Sequence, residues 1–314
     1  MIVGLSGIAD FRTITEALAY FGENPKVKRE LILLEGTYEE RLVIQIDNLS
    51  MIGIGNVQIV AGRYAQELDE NGDMIGTFAT PTVYIESENA RFENITFVNN
   101  AGPGELVGQA VTVFVHADNV LFENCRFCGY QDTLCIGPLP AKQASGKDFP
   151  RKNSRRYFEQ YRVLFNQCYI EGTIDYIFGG GNAIFHQCEI KSLARINPQD
   201  VGYVTAASTP KDKAYGFTFY QCWFTKEEGA QNVYLGRPWR QYAFTEMIDC
   251  SFDDHINYQG WSDWPQHTPT VDEVRYRETY SDSQWIKQVA YIRPRWVVVE
   301  SRQWTLSELI EHRF

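Results

Sequence analysis

The 314-residue chain has no run of about 18 consecutive apolar residues, so no membrane-spanning helix is expected. Its first ten residues lack a basic start and a long apolar stretch. No secretory leader is therefore visible, and a cytoplasmic location is the expectation. Cations are in deficit: 29 Lys and Arg stand against 40 Asp and Glu, a net charge of −11. General nucleic-acid binding needs a basic surface and is excluded on that ground. Long helical patterns are missing from the middle of the chain, which excludes an α-solenoid. No linker interrupts the chain, so residues 1–314 read as one domain. A second CxxC pair is missing too. Cys125-Arg-Phe-Cys128 stands alone and its Phe127 falls in an apolar pattern, so neither a metal site nor a redox pair is expected.

What is present fits a soluble globular class, with 44% apolar and 22% charged residues. Residues 2–5 read as a short strand. Phe11 to Phe21 carries Ile14, Ala17, Leu18 and Phe21 at helical spacing, with Thr13 as a cap. Glu30 to Leu34 and Arg41 to Ile46 read as strands divided by a turn at Gly36. Thr305 to His312 reads as a terminal helix, after a mixed, polar stretch over 265–300.

Between these ends one short pattern recurs. It appears as Phe92-Glu-Asn-Ile-Thr-Phe97, Phe122-Glu-Asn-Cys-Arg-Phe127 and Phe165-Asn-Gln-Cys-Tyr-Ile170. It returns as Phe185-His-Gln-Cys-Glu-Ile190, Phe219-Tyr-Gln-Cys-Trp-Phe224 and Met247-Ile-Asp-Cys-Ser-Phe252. The fourth positions are 30, 43, 20, 34 and 28 residues apart. A constant core with variable intervals predicts coils of a strand-built solenoid joined by loops of different length. Five of the seven cysteines fall in one column, as small apolar residues of an interior stack rather than disulfide partners.

The column supplies a register. Asp132 lies seven residues after Cys125, and Asp175 seven after Cys168. Coils stacked in register would bring both carboxylates out at one place. Neighbouring carboxylates divide their roles, because repulsion raises one pKa while a cation keeps the other ionised. Two turn aspartates would show the same spacing. Asp175 also sits in Gly172-Thr-Ile-Asp-Tyr-Ile-Phe-Gly-Gly-Gly181, where glycines allow close approach of backbone or ligand. A turn Asp beside a glycine loop is the plain alternative.

Nearly the whole chain resembles the pectin methylesterases. The resemblance rests on Asp10-Phe-Arg-Thr-Ile-Thr-Glu-Ala17, Gly36-Thr-Tyr-Glu-Glu40 and Gly108-Gln-Ala-Val111. It continues through Gly129-Tyr-Gln-Asp-Thr-Leu134, Gly172-Thr-Ile-Asp-Tyr-Ile-Phe-Gly179 and Tyr234-Leu-Gly-Arg-Pro-Trp239, in the family's order. It implies an all-β fold, a right-handed parallel β-helix with short terminal helices and an open cleft. It implies hydrolysis of methyl esters on galacturonate, with release of methanol and no cofactor. Asp175 matches the nucleophile and Asp132 the general acid and base. Gln109 and Gln131 match the oxyanion amides, and Arg237 the arginine that holds the nucleophile ionised. Trp239, Tyr176 and Phe178 match aromatic positions beside the sugar path. The expected partner is methyl-esterified polygalacturonate or its oligomers, bound by a monomer. A pectin-cleaving glycosidase or lyase on the same fold, and a non-catalytic pectin-binding protein, are the rivals.

The chain departs from the family at three places. Tyr176 stands where Phe is usual, and Gly180 where Asn is usual. The two aspartates are 43 residues apart, which implies an insertion at about Gly137 to Arg156. Lys147, Arg151, Lys152, Arg155 and Arg156 make that segment basic. A solvated loop is one reading. The other is that Arg151, Arg155 and their neighbours contact free carboxylates flanking the ester.

Overall fold

Alternation of buried and half-buried positions makes each repeat a strand, as in Arg162–Asn166, where Val163 and Phe165 point inward. The computed structural model describes residues 1–143, 146–147, 149, 156–264, 273–282, 286 and 289–314. Strands of successive coils pair in parallel, Phe122 level with Phe165 and Phe165 level with Phe185. Among the described residues they assemble into a 17-stranded and a 7-stranded sheet, a parallel β-helix.

The six-residue repeat explains itself in three columns. Its first position is a ladder in which Phe92, Phe122, Phe165, Phe185 and Phe219 stack face to face. Their centroids are 5.0, 5.0, 4.7 and 4.4 Å apart. Its third position is a corner: Asn94, Asn124, Gln167, Gln187, Gln221 and Asp249 all have φ between 48° and 56°. Short polar side chains tolerate that left-handed conformation better than apolar ones. Their amides also bond along the stack, Asn124 donating to Asn94 at 2.7 Å. The fourth position is the cysteine column. The thiols of Cys168, Cys188 and Cys222 donate to the carbonyls of Phe122, Phe165 and Phe185, one coil back, at 3.4, 3.4 and 3.2 Å. All seven cysteines are free thiols.

Both ends of the solenoid carry helices. Ile14–Glu23 starts on a capping box of Thr13 and Glu16 and buries Ile14, Ala17 and Phe21. Leu306–Arg313 starts on the same device, from Thr305 and Glu308. It packs Leu309 against Ile184, Tyr220 and Ile248, and Arg313 pairs with buried Glu246 at 2.6 Å.

Two sequence expectations need correction. Gly36 is not a turn. The strand Glu30–Tyr38 runs through it, with a register shift against the next coil between Leu34 and Gly36. The bulge absorbs the extra residue without breaking the strand, and the following strand is shorter than expected, Leu42–Ile44. The solenoid also continues past Trp264. Arg275–Tyr280 pairs with Phe244–Ile248, and Val297–Ser301 pairs with Arg275–Tyr280, without the hexapeptide.

Candidate active site

The 7-stranded sheet runs from Leu42–Ile44 through Val83–Ile85, Val113–Val115, Leu134–Ile136, Ile174–Gly179 and Gly202–Ala207 to Val233–Gly236. Its outward row, Tyr84, Phe114, Cys135, Phe178 and Ala206, is an apolar floor set by register. Beside that floor lies a cleft of about 490 Å³. Gln109, Gln131, Asp132, Asp175, Phe178, Arg237 and Trp239 all line it.

Backbone pairing brings the two aspartates together. Leu134 is level with Ile177, which places Asp132 level with Asp175 one coil on. The Asp132 N–H donates to the Ile174 carbonyl at 3.0 Å, and the Thr133 hydroxyl donates to the Glu171 carbonyl at 2.9 Å. Both aspartates have positive φ, 65° and 47°. Asp175 also sits at a bulge: register shifts between Ile174 and Ile177 against Tyr203–Thr205. The extra residue resets the alternation, so Asp175 and Phe178 face the cleft while Tyr176 and Ile177 both turn inward. The glycines of this segment serve coil packing. A Cβ on Gly172 would lie 2.2 Å from the Tyr176 Cβ, and one on Gly179 2.1 Å from the Ile136 carbonyl oxygen. Their close approach is to the protein's own backbone and side chains.

Tyr176, expected at the cleft, therefore does not line it. It is fully buried in the core, and its hydroxyl lies 3.1 Å from the Ser192 hydroxyl. Arg195, also seven residues after a column cysteine, is not in the cleft lining. It pairs with Glu105 at 2.6 Å and donates to the Val201 carbonyl. Arg151 and Arg155 lie outside the described residues. Arg156 is directed to the acidic side chains of Asp47, at 2.6 Å, and Glu88, at 3.5 Å.

Asp132 and Asp175 are only 9% and 8% exposed, so burial dominates their electrostatics. Burial pushes the Asp132 carboxyl well above the usual range, and the Asp175 charge adds to it against the opposing Arg237. Burial raises Asp175 as well, but Arg237 opposes it directly. The guanidinium grips that carboxylate with two bonds, Nε to Oδ1 at 2.9 Å and Nη2 to Oδ2 at 2.7 Å. Such bidentate bonds favour the ionised form. Of the two, Asp132 is the carboxyl pushed further toward the protonated form.

Arg237 is itself fixed. Its N–H donates to the Thr205 carbonyl at 2.9 Å, and its guanidinium lies between the rings of Tyr203, at 3.9 Å, and Trp264, at 4.3 Å. Sequence reasoning missed both rings. Tyr203 was accessible, one coil on from Ile174 in register. Trp264 carries no repeat to place it. Phe78, Gln143 and Phe149 also line the cleft unforeseen, the last two from the expected insertion. Among the described residues, no group of three His, Cys, Asp or Glu side chains is placed to hold a metal ion.

A sequence profile of the family described as pectinesterase matches residues 1–138 and 153–309, and the break falls inside the expected insertion. The Arabidopsis thaliana protein named Probable pectinesterase/pectinesterase inhibitor 13 is 30% identical over 285 residues, 88% of this chain and 42% of that protein. The chain thus spans under half of that relative's length. A carrot pectin methylesterase structure superposes with a TM-score of 0.77 at 25% identity, covering 98% of this chain and 89% of the other. A pectin methylesterase crystallised with a hexasaccharide superposes with a TM-score of 0.74 at 22% identity, covering 99% and 94%, a likeness of fold alone. With the profile spanning nearly all of the coils and the aspartate pair in register within it, this chain belongs to the pectinesterase family.

Proposed function

We propose that the protein hydrolyses methyl esters on galacturonate units, releasing methanol and leaving the sugar chain intact. The observation that carries this reading is the buried pair itself: an arginine-clamped Asp175 level with a buried Asp132, in one cleft. Asp175 attacks the ester carbonyl carbon, and the amides of Gln109 and Gln131 stabilise the oxyanion that forms. The bond to the methoxy oxygen then breaks, and Asp132 gives its proton to the departing methanol. Water attacks the acyl-enzyme in turn. Asp132 takes a proton from that water, the bond to Asp175 breaks, and the galacturonic acid unit leaves, to ionise in solution. Ester and water become acid and methanol, and both aspartates return to their starting states.

Phe178 and Trp239, 5.9 Å apart at 65°, flank the path as apolar surfaces for the sugar and its methyl group. The test is to incubate the protein with methyl-esterified oligogalacturonates and follow both methanol and chain length. Methanol with unchanged chain length is expected. New reducing ends or unsaturated products without methanol would make the protein a glycosidase or a lyase. Binding without any product would make it a binding protein.

A further inference from the structure

Behind the cleft, the core holds a chain of polar side chains that the reaction does not use. The Tyr176 hydroxyl lies 3.1 Å from the Ser192 hydroxyl, and the Ser192 hydroxyl lies 3.1 Å from Nε2 of His255. All three residues are buried. Burial pushes the His255 pKa down to about 4, against the charges of Asp253 and Asp254 and with that of Lys226, so the imidazole is neutral near pH 7. Its Nδ1 has no hydrogen-bond partner among the described residues. Buried N–H groups without a partner are rarer than under-satisfied acceptors. That assigns the proton to Nε2, which donates to Ser192.

The two ends of this chain stand at the two halves of the catalytic clamp. Tyr176 follows Asp175 in the bulge, where Asp175 has a φ of 47°. A left-handed, non-glycine residue at a bulge persists only where its surroundings hold it. Tyr176 supplies that hold twice. Its Cβ and Cγ press on Gly172, where an added Cβ would lie 2.2 and 2.6 Å from them. Its hydroxyl reaches Ser192, which is level with Gly172 on the next coil. At the other end, the His255 carbonyl accepts from the Val233 N–H at 3.0 Å. Val233–Gly236 is the strand that leads straight into Arg237.

Core packing needs only the ring at position 176, where Phe is usual and Tyr stands here. The hydroxyl adds direction, because a buried hydrogen-bond network that is satisfied fixes one arrangement of its members.

We propose that Tyr176, Ser192 and His255 are positioning residues for the reaction: their hydrogen bonds hold the bulge at Asp175 so that its carboxylate meets the Arg237 guanidinium in register. This rests on the esterase reading and deepens it, since the nucleophile is aimed from inside the coil as well as from the cleft.

The experiment uses the full chain and has two readouts. One is kcat and KM for methanol release from methyl-esterified oligogalacturonate. The other is the titration of the Asp175 carboxyl by carbon NMR, with Arg237 and Asp132 as the charged groups facing it. Tyr176→Phe and Ser192→Ala should each lower kcat about tenfold, with KM unchanged. Each should also move the Asp175 titration upward by about half a pH unit, because a looser fit to Arg237 favours the carboxylate less. His255→Gln keeps an N–H donor near Nε2 and should retain most of the wild-type kcat, whereas His255→Leu should behave like Ser192→Ala. Tyr176→Phe/Ser192→Ala/His255→Leu leaves no member of the chain unpaired, so it should melt close to the wild type and yet stay slow. Wild-type kcat and an unmoved Asp175 titration in Tyr176→Phe and Ser192→Ala would overturn the proposal. So would a triple variant that turns over at the wild-type rate, which would make the chain a matter of stability alone. His255→Gln as slow as His255→Leu would remove His255 from the set. If no ester yields methanol but the Asp175 titration moves as expected, the esterase reading fails and the positioning of Asp175 stands.

Discussion

The same backbone device appears in two regions with opposite outcomes. At the repeat corners, left-handed Asn and Gln residues bond to their neighbours up the stack, and the phenylalanines behind them pack face to face. In the cleft, left-handed Asp132 and Asp175 also stack coil on coil, but what meets there is two buried acids with one cation, bonded to Asp175. Corners that repeat satisfy one another. Corners that hold like charges cannot, and burial together with the neighbouring charge pushes the Asp132 carboxyl toward its protonated form.

Substitutions should separate the two regions cleanly. Asp175→Asn keeps an acceptor for Arg237 but removes the proposed nucleophile, so methanol release should fall by about 10⁴-fold or more, with thermal unfolding unimpaired. A variant with more than a few per cent of wild-type activity would take the nucleophile away from Asp175. Phe165→Ala should do the reverse. It empties the middle of the aromatic ladder and should cost about 3–5 kcal/mol of stability by denaturant unfolding, while the folded fraction turns over at close to the wild-type rate.

Arg237→Gln tests the clamp. Losing it should slow the reaction by about 10²-fold and raise the Asp175 pKa, since a cation no longer favours the carboxylate. The acid limb of kcat/KM against pH should then move to higher pH; an unmoved limb would mean that Arg237 does not set the ionisation. The smallest effect is a gain in stability. The folded pKa of Asp132 lies above its unfolded value. Its ionisation therefore costs stability as pH rises past the ordinary carboxylate range, and the cost is complete above the folded pKa. Asp132→Asn removes that cost. It should melt above the wild type near neutral pH, and the difference should vanish below the ordinary carboxylate range.

Much of this was legible in the sequence where periodicity carried it. The Phe and Cys columns announced the coils, and their seven-residue offset placed Asp132 level with Asp175. The third repeat position shows in the sequence only as Asn, Gln or Asp, and its left-handed geometry emerges with the backbone. Tyr176 was misplaced because the bulge at Asp175 turns two successive residues inward, which simple alternation does not anticipate. Trp264 and Arg275 were invisible for another reason. They act between distant loops, Trp264 on Arg237 and Arg275 on the Pro210 to Ala214 backbone, and such contacts leave no periodic trace.

The division of protonation between the two acids is the core of this account, and carboxyl carbon NMR of the aspartate-labelled protein, followed across pH, measures it directly. Assigned through Asp132→Asn and Asp175→Asn, the spectra should show Asp132 still protonated near neutral pH and Asp175 already ionised. Both carboxyls ionised there, or Asp175 the one that keeps the proton, would contradict it.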